Sequence, residues 1–384
     1  MDCHSRSWSI IIVGRPALER IVGSGEDESR RRSYQHGWHP SSRVGVDARV
    51  ALSVMAYIDA TVARPRLYED CTEVSPQCPV KATTLGYYPN KGVNVFIAIC
   101  FIAVALATLT VGIRKRTWTF MVFVTAGCIL EFAGYVTRVL LHDNPWDSGA
   151  FRTQIVAIIL GPTLICVSIY VTLKHVCLAL NPTLSRVAPT KYPYIFIPAD
   201  VSCLLVQAIG GSIAASAGSD KPDLLKTGNR TIIAGICLQV VVLAFFGLAA
   251  ADYWLRVKRW IRTPEAAPGA VALYRDRKFR MFVYAVTVAF TLIFIRCIYR
   301  IAEMAGGWGN HIMQDEPSFV VLESFMVAIA CILLAAFPPG YFFPQMVSNR
   351  RERRRSAKSP SAGNESPQDV ELVVEPKYAG DGRQ

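Results

Sequence analysis

The sequence predicts an all-α polytopic membrane protein: a seven-transmembrane-helix bundle with its N-terminus outside and its C-terminus cytoplasmic. Three observations predict it. The 384 residues are 52% hydrophobic and only 18% charged, with a mean hydropathy of +0.30, a balance foreign to an ordinary soluble enzyme. The apolar residues gather into runs of roughly 20, the length a helix needs to cross about 30 Å of hydrocarbon. The basic residues behind the net charge of +12 cluster at the ends of those runs, so topology accounts for the charge and nucleic acid is not an expected partner.

Residues 1–85 form a region ahead of the first span, extracellular or lumenal by this orientation. Its one apolar stretch, Trp8 to Val13, is too short and poorly flanked for a signal peptide. Met55 begins a segment that reads naturally into the first span. Residues 1–54 are therefore either an extension or residues ahead of the true start. Cys71 and Cys78 lie together in a polar stretch and form a candidate disulfide if that stretch meets an oxidising compartment. The other cysteines from Cys100 onward stand singly in apolar segments, where a thiol acts as a small hydrophobe. No spacing resembles a zinc site, and no Gly-rich phosphate loop accompanies the spans, so neither a metal nor a cofactor is expected.

The membrane domain, 86–345, divides into spans at about 93–113, 118–141, 153–177, 194–217, 231–251, 281–303 and 318–337. The first is apolar throughout and is closed by Arg114, Lys115 and Arg116. The second carries Glu131, Tyr135 and Arg138 at i, i+4 and i+7, hence on one face. The third contains Pro162, which kinks it or serves as a hinge, and ends beside Lys174 and His175. The fourth holds Asp200 and Gln207 on one face and ends past Gly210 and Gly211. The fifth contributes Gln239 and follows Asn229-Arg230-Thr231, a glycosylation sequon placed on an outside loop. The sixth repeats the second's spacing with Arg296, Arg300 and Glu303, and the seventh holds Glu323. Beyond it, 346–384 reads as a disordered cytoplasmic tail, basic and then polar.

Orientation follows from Lys and Arg. The connections on the side of the carboxyl end, with the tail, hold about twenty, whereas the opposite connections hold about four, so the positive-inside rule puts the carboxyl end in the cytoplasm. On that orientation Glu131, Gln207 and Gln239 lie near mid-depth. Arg138, Arg300, Glu303 and Glu323 lie in the outer third, and Asp200 lies towards the cytoplasm.

An ionisable group in hydrocarbon costs several kcal/mol and must face the bundle interior, find a partner or snorkel. One reading pairs these groups across helices, Arg138 with Glu303 or Glu323 and Asp200 with a Ser or backbone donor. A second makes them a track along which a lipid headgroup crosses, acids attracting an ammonium. A third makes them the pocket of a seven-span, receptor-like sensor of lipid or membrane stress, signalling through its basic 252–280 loop. An intramembrane enzyme is disfavoured, since no His cluster or activated nucleophile is present.

Ordered along the chain, Cys78-Pro79, Gly86-Tyr87-Tyr88-Pro89, Asn94, the run Glu131-Phe132-Ala133-Gly134-Tyr135 with Arg138, and Pro162 with Tyr170 make a recognisable pattern. Asp200 with Ser202 and Gln207, Gly210-Gly211, and Gly235 with Gln239 continue it. Arg296, Tyr299-Arg300, Glu303, Gly306, Gly309, Glu316, Met326 and Pro339-Gly340 complete it. Over roughly 71–345 the chain resembles the fungal lipid-translocating exporter family, the seven-span group of the sphingoid long-chain-base exporter and aminocholesterol-resistance type. The resemblance implies a multi-pass plasma-membrane transporter, not an enzyme, whose partners are membrane lipids and whose cargo is sphingoid bases or related amphiphiles. It also implies resistance to toxic compounds. Three departures stand out: Glu323 where the family usually carries Asp, Pro338 where His often precedes Pro-Gly, and the long amino extension. Oligomeric state is open.

Overall fold

In the computed structural model, residues 71–216, 221–307 and 309–343 are described, all within one compact unit, Val50–Gln384. The proposed extension 1–54, most of the region ahead of the first span, Trp308 and the whole of the tail, 346–384, lie outside the described residues. Seven helices among them are long and apolar enough to cross a membrane. They are α1 (Lys91–Lys115), α2 (Trp118–Asp143), α3 (Ser148–Leu180), α4 (Lys191–Ser216), α5 (Pro222–Trp260), α6 (Arg277–Ala305) and α7, which starts at Glu316. α7 is α-helical over Glu316–Phe319, π-helical over Val320–Phe325 and α-helical again over Met326–Ala336. A short helix, Pro268–Arg275, links α5 to α6. No strand occurs among the described residues.

Local sequence explains where the helices begin and end. Asn90 caps α1 by accepting the Val93 N–H, Asp147 caps α3 through the Gly149 and Ala150 N–H groups, and Asp276 caps α6 through Lys278. Arg116 ends α1 in the left-handed conformation, φ 57°. α5 is 39 residues long, about 58 Å at 1.5 Å per residue, so it overshoots a hydrocarbon slab at both ends. Its far end is braced where Asp252 Oδ2 accepts from Arg186 Nε and Arg256 Nε, each at 3.0 Å.

α3 is the central post: 83% of its most apolar stretch is buried, against 33–50% for the other six. α2 and α4 flank it, α2 packing most closely on α3 and α1, and α4 most closely on α5. Small residues set those approaches. A Cβ at Gly161 would lie 2.6 Å from Glu131 Oε1, and one at Gly210 would lie 2.6 Å from the Ile232 backbone nitrogen, so both pairs meet at distances only glycine permits. Large apolar side chains such as Phe96, Leu106, Phe245 and Leu248 point outward, as lipid contact requires.

Segment 71–90 folds across the amino-terminal end of the bundle. Cys71 and Cys78 are joined by a disulfide, with Cα atoms 5.9 Å apart. Trp146 Nε1 donates to the Cys78 carbonyl at 3.1 Å, Asn144 Nδ2 to that of Thr72 at 2.8 Å, and the Asn90 N–H to Glu316 Oε1 at 2.6 Å. Leu85 drops into a cluster with Leu141, Ala150 and Phe151.

Candidate substrate pathway

Every one of the ten membrane residues singled out above is buried: Glu131, Tyr135, Arg138, Asp200, Gln207, Gln239, Arg296, Arg300, Glu303 and Glu323. They form two polar groups separated by the face of α3. The larger joins α2, α3, α6 and α7; the smaller joins α3, α4 and α5.

In the larger group Arg296 is the hub. Its Nε donates to Glu323 Oε1 at 2.8 Å, and its Nη2 donates to the same oxygen and, at 2.8 Å, to the Ile158 carbonyl of α3. One turn along α3 from Ile158, Glu131 lies over Gly161. Glu131 is 1% exposed, makes no ion pair among the described residues, and its Oε1 has no hydrogen-bond partner. Tyr135, one turn on, stacks on Phe101 with ring centroids 5.6 Å apart.

Towards the amino-terminal end, Arg300 Nη1 donates to Glu303 Oε2 at 2.6 Å, a pair within α6. Arg138 sits beside them, fully buried. Its guanidinium carbon is 4.0 Å from the centroid of the Phe319 ring, and Nη2 donates to Tyr87 Oη at 2.5 Å. Burial holds the Tyr87 phenol above its ordinary value, so it meets Arg138 as a neutral acceptor. Across the group three acids, Glu131, Glu303 and Glu323, face three arginines, Arg138, Arg296 and Arg300, and only two ion pairs form.

In the smaller group Tyr170 donates to Asp200 Oδ2 at 2.7 Å, leaving Oδ1 without a hydrogen-bond partner. Gln207 Nε2 donates to Gln239 Oε1 at 3.0 Å, and Gln239 Nε2 reaches Thr163 Oγ1 at 3.4 Å. His, Cys, Asp and Glu gather in no metal-binding cluster among the described residues.

All ten are buried in the bundle, in two groups, and their partners differ from those expected. Arg138 pairs with neither Glu303 nor Glu323: α6 supplies its own partner for Glu303, and Arg296 takes Glu323. Asp200 is held by a tyrosine hydroxyl and not by a serine or backbone donor. Glu323 sits at the level of Arg296 and of Ile158 in α3. The sequon Asn229-Arg230-Thr231 is not on a loop; it lies inside α5, where Thr231 Oγ1 bonds to the Thr227 carbonyl at 2.9 Å. Gln154, Thr163, Phe319 and Ser324 were not singled out from sequence, and Tyr87 entered only within the family pattern. Gln154 carried the signal that marked Gln207 and Gln239, an amide inside an apolar run.

Residues 124–346 match the family described as RTA1 like protein. The chain is 29% identical over 297 residues to the sphingoid long-chain base transporter RSB1 of Saccharomyces cerevisiae, an alignment covering 70% of this chain and 77% of that protein. It is 30% identical over 238 residues to protoporphyrin uptake protein 1 of the same species, covering 60% and 71%. Protein RTM1, also from that yeast, is 26% identical over 234 residues, covering 59% and 69%. No solved structure matches.

Proposed function

This chain belongs to the RTA1-like protein family, and on that premise we propose that it moves cationic amphiphiles of the sphingoid long-chain-base class across the plasma membrane, contributing to resistance against toxic amphiphiles. Its similarity to RSB1, a sphingoid long-chain base transporter, supports the substrate class. The observation that carries the reading is Glu131 in the middle of α2, a buried acid with no ion pair among the described residues and an unbonded oxygen, set over Gly161 of α3.

A lone carboxylate in a low-dielectric interior is costly unless a counter-charge is supplied. An ammonium headgroup passing Glu131 supplies it. Glu303 and Glu323 are already held by Arg300 and Arg296, so they shape the route and leave Glu131 as the acid open to a cargo. Asp200, with one oxygen unbonded, gives a second stop on the other side of α3. Apolar tails stay in hydrocarbon outside the bundle while the head crosses.

The test is leaflet exchange of a fluorescent sphingoid base by purified protein in liposomes. Exchange above the protein-free rate is expected for the wild type, and exchange at that rate for an equally folded Glu131→Gln variant. Wild-type rates in the Gln variant would remove Glu131 from the route. No exchange by folded wild-type protein would overturn transport and favour the sensor acting through its 252–280 loop.

A further inference from the structure

The larger polar group has one charge that the cationic-cargo reading does not use. Arg138 is 0% exposed, belongs to no ion pair among the described residues, and its Nε–H has no hydrogen-bond partner. It faces a cavity of about 30 Å³ at the amino-terminal end of the bundle, walled by Arg138, Gln154, Arg300, Glu303 and apolar side chains, among them Leu85 and Phe319. Gln154, 4% exposed, also presents an unbonded Oε1 there. Arg300 and Glu303 cancel each other, Tyr87 is neutral, and Glu316, which keeps its charge while accepting the Asn90 N–H, is not among the residues that line the cavity. The cavity therefore carries one uncompensated positive charge.

We propose that this cavity is an anion subsite that receives the carboxylate of an amphiphile at Arg138. The proposal rests on the transport reading for the amphiphile and adds a second headgroup chemistry to it. A guanidinium edge presents N–H donors matched in spacing to carboxylate oxygens, and Phe319 against its face fixes the plane of that edge. The volume suits a headgroup of one or two water-sized atoms and excludes a whole amphiphile, so the tail lies outside. Leu85 from the crossing segment and the flexible thioethers of Met304 and Met313 form the wall that has to yield for entry. Arg138 lies seven residues from Glu131 along α2, about 10 Å, so the two headgroup positions are separate stops on one face. The same cavity could instead hold a water bridging Arg138 Nε and Gln154 Oε1, and the experiment decides between them.

Full-length protein in nanodiscs is titrated with a fluorescent long-chain fatty acid, with acetate as free-carboxylate competitor and a fluorescent sphingoid base in a parallel arm. Wild type is expected to bind the fatty acid, and Arg138→Gln to bind it at least tenfold more weakly. Arg138→Lys, which keeps the charge and loses the planar edge, should fall between them. Lys226→Gln, which removes an exposed charge from the same end, should bind as wild type. Acetate displacing the fatty acid at equal concentration would overturn the amphiphile as ligand in favour of a free-carboxylate site. Equal binding by Arg138→Gln, its folding verified by an unchanged unfolding midpoint, would overturn the subsite and leave a bound water only. If Arg138→Gln fails to fold, Gln154→Leu takes its place: it removes the unpaired acceptor facing the anion, and altered fatty-acid affinity supports the subsite while unchanged affinity overturns it. Fatty-acid binding without sphingoid-base binding would sink the cationic-cargo reading and keep the subsite; the reverse would sink the subsite alone.

Discussion

The Arg296–Glu323 pair shows what a buried charge demands of its neighbours. Both side chains are nearly inaccessible, at 4% and 1% exposure, and the guanidinium is further tied to the Ile158 carbonyl. Removing one partner strands the other in a low-dielectric interior, a loss of about 3–5 kcal/mol. Glu323→Ala should therefore lower unfolding stability in detergent by about that amount. The double variant Arg296→Met, Glu323→Leu should be more stable than Glu323→Ala alone, and a double-mutant cycle reads the coupling. Additive losses would show that the pair is not coupled. The sequence shows that these residues must be satisfied, because spacing at i, i+4 and i+7 defines a face and hydrocarbon forbids idle charges. It does not show with whom. Partner choice depends on helix order and rotation, and the contact of Arg138 with Phe319 and Tyr87 involves an aromatic face and a hydroxyl, which no charge-pairing rule looks for.

Element by element, span number and type were legible because a 20-residue apolar run has one stable answer in hydrocarbon. Ends were legible only where a cap or a charge cluster fell close to the apolar run. α2 starts at the expected Trp118, whereas α5 runs 222–260 in place of 231–251, since its polar ends continue the helix beyond the apolar stretch. The π-helical turn in α7 left no signal at all. By widening the helix it turns two consecutive residues, Glu323 and Ser324, into the core at 1% and 0% exposure while Val321 remains outward at 51%. Such a turn accommodates one extra residue. Deleting Val321 should restore ordinary helical register and rotate the two halves of α7 relative to each other by about 100°. With Met326–Ala336 held in the bundle, Phe319 then leaves Arg138; with Phe319 held, Glu323 leaves Arg296. We expect the deletion to destabilise the protein by about as much as Glu323→Ala and to lower leaflet exchange to the protein-free rate. A variant with unchanged stability and exchange would mean that the wide turn positions nothing.

For the molecule as a whole, the fold fixes which loops share an end but not which end faces the cytoplasm. The loops at 115–118, 181–191 and 261–277 lie at the end where α7 finishes, and those at 143–148 and 306–315 lie with the crossing segment 71–90. The charge asymmetry between the two sets is large, and each Lys or Arg near anionic lipid is attracted by about 1 kcal/mol. Arg256, Lys258, Arg259, Arg262, Arg275, Arg277, Lys278 and Arg280 all crowd around one short connection. Holding that connection in the cytoplasm requires the opposite end, with its disulfide at Cys71 and Cys78, to face the oxidising side. Two independent chemistries, lipid charge and thiol redox state, favour the same orientation, which we propose for this chain. It is tested in intact cells with a membrane-impermeant maleimide. Lys226→Cys, at the amino-terminal end, should label without permeabilisation, and Arg262→Cys, at the other end, only after it. The unsubstituted chain is the background control, because its eight described free thiols lie in the spans and are buried or half-buried. The opposite labelling would invert the bundle, place the Arg138 cavity on the cytoplasmic side, and require amphiphiles to reach it from the inner leaflet.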